Sequence, residues 1–121
     1  VGFLKQRLRA FYFAIEGIKT FFRESPHAKI HGLAALLVIA LGAYLECTIH
    51  EWLALIVSIA LVLGMEALNS AIEYTVDLIS PEQHPLAKKA KDVAAAAVLI
   101  CALFALVIGI IIFVPKIIHA F

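Results

Sequence analysis

The chain has 121 residues, room for one domain. It is 64% hydrophobic with a mean hydropathy of +1.01, too apolar for the surface of a soluble domain of this size, which points to an integral membrane protein. A net charge of +1 gives no electrostatic footprint for nucleic acid, and Cys47 and Cys101 form no CxxC or Cys/His metal spacing.

Residues 1–24 read as an amphipathic surface helix. Phe3, Leu4, Leu8, Phe11, Ile15, Ile18 and Phe22 recur at helical spacing, with Lys5, Arg7, Arg9, Lys19 and Arg23 between them. A basic face beside an aromatic face suits a helix lying in the membrane interface. No apolar core with a small-residue cleavage site follows the basic N-terminus, so no cleavable signal peptide is expected. Ser25-Pro26 punctuates the chain; Ser25 or Glu24 suits an N-cap and Pro26 a first turn.

The first span is expected over 28–46. Its uninterrupted apolar part, Gly32 to Leu45, has 14 residues, short of the roughly 20 that cross a bilayer. Ala28, Ile30 and the ends must contribute, with His31 facing protein or headgroups. A short acidic break without Lys or Arg follows. The second span, 51–80, is about 45 Å long as a helix, more than a hydrocarbon core of roughly 30 Å. Trp52 suits an interfacial anchor. The polar run Ser80-Pro81-Glu82-Gln83-His84-Pro85 is a turn. The third span, 86–118, opens on Lys88, Lys89, Lys91 and Asp92 and continues as the apolar run Val93 to Pro115. Ala94 to Ala97 allow close helix approach.

Nine of the ten Lys and Arg residues fall in the N-terminal helix region, counting Lys29 at the very start of the first span, and the 80–92 connection. Three spans put those two regions on one side, and the positive-inside rule makes it cytoplasmic.

The most unusual stretch is Glu66 to Asp77, at the end of the second span. On a helix, Glu66, Asn69, Ser70, Glu73 and Asp77 share an arc of about 100°. Carboxylates on an apolar helix are costly and tend to mark function. Topology brings them to the cytoplasmic surface, as it does Lys91-Asp92. Three chemistries fit: Mg²⁺ bridging carboxylates and substrate phosphates, general base catalysis on a lipid hydroxyl, and a cation or proton pathway. Walker A and GxGxxG patterns are absent.

The sequence Glu66-Ala-Leu-Asn69-Ser70-Ala-Ile-Glu73, then Val76-Asp77, then Ala90-Lys91-Asp92, resembles the prokaryotic diacylglycerol kinase family over almost the whole chain. His84-Pro85-Leu86-Ala87, Ile30-His31 and Phe113-Val-Pro115-Lys116 resemble its undecaprenol kinase branch more closely. The resemblance implies a homotrimeric helical bundle in the bacterial plasma membrane, each subunit a surface helix plus three spans, with composite active sites facing the cytoplasm. It implies transfer of the ATP γ-phosphoryl group to a membrane lipid alcohol, undecaprenol in preference to diacylglycerol. Glu66 matches the general base, Asn69 a supporting residue and Glu73 a Mg²⁺ ligand on the ATP phosphates. Glu82, Gln83 and His84 match the connection that contacts nucleotide; Lys91 and Asp92 match the pair at the nucleotide site, Lys91 on phosphate and Asp92 orienting it or contacting the adenosine. Ser70 and Asp77 receive no role.

The chain departs from the family pattern at three places. Ungapped alignment puts Ser25, not Glu, at the second Mg²⁺-binding position, with Glu24 one residue earlier as the substitute ligand. Phe13 stands where the family has an aromatic near the nucleotide. Gln6 stands at a basic position.

Two readings of other classes stand beside the kinase. An ion pathway should carry ionisable residues through the bilayer, whereas Val93–Pro115 has none. A purely structural subunit would use its acids only to pair with Lys88, Lys89 or Lys91.

Overall fold

Chain punctuation divides the protein into four helices and no strands. The computed structural model describes all 121 residues: α1 (Gly2–Glu24), α2 (Pro26–Tyr44), α3 (Ile49–Ile79) and α4 (Pro85–Ala120). The α1–α2 junction is a single residue. Ser25 takes an extended conformation and its Oγ accepts from the Ala28 N–H at 3.1 Å, while Pro26, which has no N–H to satisfy, opens α2. Phe21 is the only buried residue of α1. Phe22 lies over Gly32, where a Cβ would stand 3.1 Å from its ring.

The 19 residues of α2 make about 29 Å of helix. Pro26 to His31 supply the length that the apolar run alone lacks. The buried residues of α2 are Ala28, Ala35 and Gly42, a seam of small side chains spaced every seven residues. At Gly42 the ring of Trp52 comes so close that an added Cβ would meet its Cη2 at 2.8 Å.

The α2–α3 turn is only Leu45–Thr48. Glu46 has φ +55°, and the Cys47 N–H reaches Gly42 O at 3.0 Å while the Glu46 N–H reaches Ala43 O at 3.3 Å. This is the closure usually assigned to glycine, here made by a glutamate. A capping box then starts α3. Thr48 Oγ1 accepts from the Glu51 N–H at 3.3 Å, and Glu51 Oε1 accepts from the Thr48 N–H at 2.8 Å.

The helices α3 and α4 form a long antiparallel hairpin with an ion pair at each end. At one end Lys116 Nζ lies 2.9 Å from Glu51 Oε1, beside the cluster of Leu55, Ile112 and Phe113. At the other, Lys91 pairs with Asp77. From Glu51 to Asp77 is 26 residues, about 39 Å along α3; Lys91 to Lys116 is about 38 Å along α4.

Only 13 of the 121 residues are buried, so most large apolar side chains face outward, as they do in helices that meet lipid. Three helices, α2, α3 and α4, are long and apolar enough to cross a membrane. The protein is an all-α membrane protein.

Candidate functional site

The acidic stretch of α3 is graded by exposure. Glu66 is 4% exposed and Asn69 8%; Ser70 is half-buried, and Glu73 and Asp77 are open. Seven residues, about 10 Å of helix, separate the buried Glu66 from the open Glu73.

Each member of the stretch has its own surroundings. Glu66 Oε2 lies 3.6 Å from Nε2 of His31 on α2. Asn69 Nδ2 donates to Glu73 Oε1 at 3.5 Å, one turn along, and the buried Asn69 Oδ1 has no partner. The amide thus engages the Glu73 carboxylate through its nitrogen and keeps its buried oxygen unpaired within the protomer.

The end of α1 reaches the same region. Tyr74 donates its hydroxyl to Glu24 Oε1 at 2.7 Å, and Arg23 Nη2 lies 3.7 Å from Glu24 Oε2. Ser25 spends its side chain on capping α2. Of the two residues competing for the second metal position, it is Glu24 whose carboxylate extends to α3.

A separate basin of about 670 Å³ gathers Asp77, Glu82, Gln83, His84, Lys91 and Asp92. Ser80 Oγ donates to the Glu82 carbonyl at 2.9 Å, which folds the turn. His84 Nδ1 accepts from the Leu86 N–H at 3.1 Å and caps α4. Lys91 pairs with Asp77, and Lys88 with Asp92. Glu66 and Glu73 do not line this basin. Phe13 also stands apart: it is exposed on α1 and packs edge-on with Tyr12, ring centroids 5.7 Å apart.

The lysine pairing that a purely structural subunit requires is met at Asp77 and Asp92. It is not met at Glu66 or Glu73, which make no lysine pair. No three His, Cys, Asp or Glu side chains gather as a metal cage. Two carboxylates with water and substrate phosphates are nevertheless a donor set of the kind that Mg²⁺ uses. Glu73 is engaged by Asn69, and Glu24 by Tyr74 and Arg23.

An apolar cavity of about 450 Å³ lies between α2, α3 and α4, with Ala35, Val38, Leu55, Val62 and Phe113 in its wall and His31 among its few polar residues.

The family model described as prokaryotic diacylglycerol kinase matches residues 12–113. The chain belongs to that family. It is 41% identical over 113 residues to the undecaprenol kinase of Bacillus subtilis (strain 168), covering 93% of this chain and 92% of the relative. It is 39% identical over 100 residues to a diacylglycerol kinase of Helicobacter pylori (strain ATCC 700392 / 26695), covering 83% and 78% of the two chains. The diacylglycerol kinase of Escherichia coli (strain K12) is 34% identical over 100 residues, covering 83% and 82%. Membership makes the chain a lipid kinase, a phosphotransferase with an alcohol acceptor and ATP as co-substrate.

Two residues of the acidic region carry no linear signal. Tyr74 meets a partner 50 positions away. His31 stands in the Ile30-His31 pair, but only helix packing puts it against Glu66.

Proposed function

We propose that the chain phosphorylates undecaprenol at the cytoplasmic face of a bacterial plasma membrane. The observation that carries this is the graded stretch on α3. A buried carboxylate sits where an apolar substrate can reach it, and an exposed one sits where a water-borne nucleotide can. The substrate choice rests on the 41% identity to an undecaprenol kinase over 93% of the chain. The apolar cavity beside His31 supplies a surface for a prenyl chain.

In this reading Glu66 is the general base. It takes the proton of the lipid hydroxyl as that oxygen attacks the γ-phosphorus, and ADP departs. Phosphoryl transfer depends on positioning and charge neutralisation more than on covalent chemistry. Asn69 orients Glu73. Glu73 and Glu24 are the residues that would hold Mg²⁺, and the ion would supply charge neutralisation at the phosphates. Lys91 contacts phosphate, and Asp92, which pairs with Lys88 and not with Lys91, contacts the nucleotide together with Glu82, Gln83, His84 and Phe13.

The assembly in this reading is a homotrimer with sites between subunits. The geometry of one protomer supports it: the basin at 77–92 opens about 17 Å along α3 from Glu66, so within one chain the nucleotide residues and the base stand apart. The cytoplasmic orientation is supported by the nine Lys and Arg residues at that end.

The test is a transfer assay with the purified full chain, Mg-ATP, and undecaprenol or diacylglycerol in matched lipid mixtures. Faster phosphorylation of undecaprenol is expected. Preference for diacylglycerol would replace the substrate, and absence of transfer to either would overturn the reading.

A further inference from the structure

The carboxylate of Glu66 has one ionisable neighbour. His31 Nε2, reached across the α2–α3 contact, is 3.6 Å from Glu66 Oε2. On α3 itself the next acid is Glu73, two turns away and engaged by Asn69. On α4 the register set by the two end ion pairs puts Cys101 and Ala102 level with Glu66; the half-buried Cys101 thiol makes no hydrogen bond to the carboxylate, and no charged residue occurs between Asp92 and Lys116. On α1 the carboxylate of Glu24 is turned to Tyr74.

A base enclosed in this way has a second task after its first turnover. Once Glu66 has accepted the hydroxyl proton, it must lose it again before the next lipid arrives. Its side chain is only 5% exposed, whereas that of His31 is 24% exposed. In water an imidazole binds a proton about a hundredfold more tightly than a carboxylate does. An imidazole is thus the stronger base of the two side-chain types, and His31 is the more exposed member of the pair.

We infer that His31 is the positioning residue of the Glu66 carboxylate and the acceptor that restores it to its charged form. This rests on the reading of Glu66 as the base. The proton leaves the lipid oxygen for Glu66 Oε2 as the oxygen–phosphorus bond forms and the bond to the ADP oxygen breaks. It then passes to His31 Nε2, leaving a carboxylate and an imidazolium, and the imidazolium releases it to water. The receiving nitrogen must be unprotonated beforehand, so the neutral tautomer carries its hydrogen on Nδ1. The present 3.6 Å separation closes to a hydrogen bond with a few tenths of an ångström of side-chain movement.

The test uses the purified full chain in lipid with Mg-ATP and undecaprenol. His31→Ala should lower kcat by about tenfold or more, with KM for Mg-ATP within about twofold of the parent. Removing the ring opens space continuous with the apolar cavity, so added imidazole should restore turnover in this variant. His31→Gln fills that space; it should show the same loss of kcat, unchanged thermal stability and no response to imidazole. Parental kcat in His31→Ala, a loss confined to KM, or a loss that imidazole leaves untouched would overturn the inference. Glu66→Gln separates the two levels. If it is inactive while His31→Ala is unimpaired, only the role of His31 falls. If it is fully active, the base assignment falls with it.

Discussion

Tyr74 donates its hydroxyl to Glu24 Oε1 at 2.7 Å and so fastens the end of the surface helix to the acidic stretch of α3. That bond distinguishes Glu24 from Ser25 at a position where the family pattern alone leaves two neighbours in competition. Ser25 is committed to the α2 cap, and Glu24 is aimed at the helix that carries Glu73.

The two residues should respond differently to removal. Glu24→Ala is expected to raise the Mg²⁺ concentration needed for half-maximal rate by about tenfold. Ser25→Ala should leave that requirement unchanged and cost about 1 kcal/mol of stability through loss of the cap. Mg²⁺ titration of both variants, paired with thermal unfolding in detergent, reads the two effects separately. The opposite pattern would move the ligand to Ser25.

Glu66→Gln keeps the size of the side chain and removes its basicity. Turnover should fall by about a hundredfold or more, with nucleotide binding and assembly unaltered. Single-turnover transfer and sedimentation of the same sample give both readouts. Parental turnover in this variant would remove Glu66 as the base.

Lys91 is held by Asp77 in the free protein. Lys91→Met should raise KM for Mg-ATP by about tenfold, the loss expected for one charge-assisted phosphate contact. Asp77→Asn frees the ammonium group, and an exposed pair of this kind contributes only about 0–1 kcal/mol. Its KM should therefore stay within about threefold of the parent. Equal impairment of the two variants would make Asp77 part of the nucleotide site.

Cys47 lies in the α2–α3 turn, at the end of the molecule away from the acidic stretch. Burial pushes its thiol above the ordinary range, the Glu51 carboxylate adds to the rise, and Lys116 opposes it. A raised thiol is mostly protonated at neutral pH, so reaction with a maleimide should be slower there than that of a free thiol and should keep accelerating through the alkaline range where a free thiol has already levelled off. In intact cells a membrane-impermeant maleimide should label Cys47 from outside. Labelling only after the cells are opened would reverse the orientation.

Gly42→Val would drive a side chain into Trp52, whose ring already lies 2.8 Å from an ideal Cβ. A loss of about 1–3 kcal/mol is expected from the forced repacking. Thermal unfolding of the detergent-solubilised protein measures it, and an unchanged midpoint would show that α2 can back away freely.

The residues that could be read in advance are those whose physics is local or periodic. Ser25-Pro26 marks a helix start because a side-chain acceptor and a missing N–H meet there, and the structure assigns the cap to Ser25. The polar face of α3 follows from 3.6-residue spacing alone. Thr48-Ile-His-Glu51, taken above only as part of an acidic break, carries a capping-box pattern, threonine followed three residues later by glutamate, and it starts α3 inside that break. Contacts between helices were not legible. Nothing in the neighbourhood of Glu66 in sequence indicates His31, and nothing near Tyr74 indicates Glu24. Such pairings depend on how two cylinders rotate against one another, and apolar periodicity as weak as that of α2 leaves the rotation open. The alternative pairing of acids with lysines was correct for Asp77 and Asp92 and fails for Glu66 and Glu73.

The two ion pairs of the α3–α4 hairpin have a mechanical consequence. A slip of α4 along α3 by one helical turn, about 5.4 Å, would break Glu51–Lys116 and Asp77–Lys91 together. The two pairs therefore mark a single register for the hairpin at both of its ends. Against this hairpin α2 presents the smooth seam of Ala28, Ala35 and Gly42. Along most of that seam α2 offers the hairpin little side-chain relief to interlock with, and it is the Trp52 ring over Gly42, at the end far from Glu66, that locks the two together.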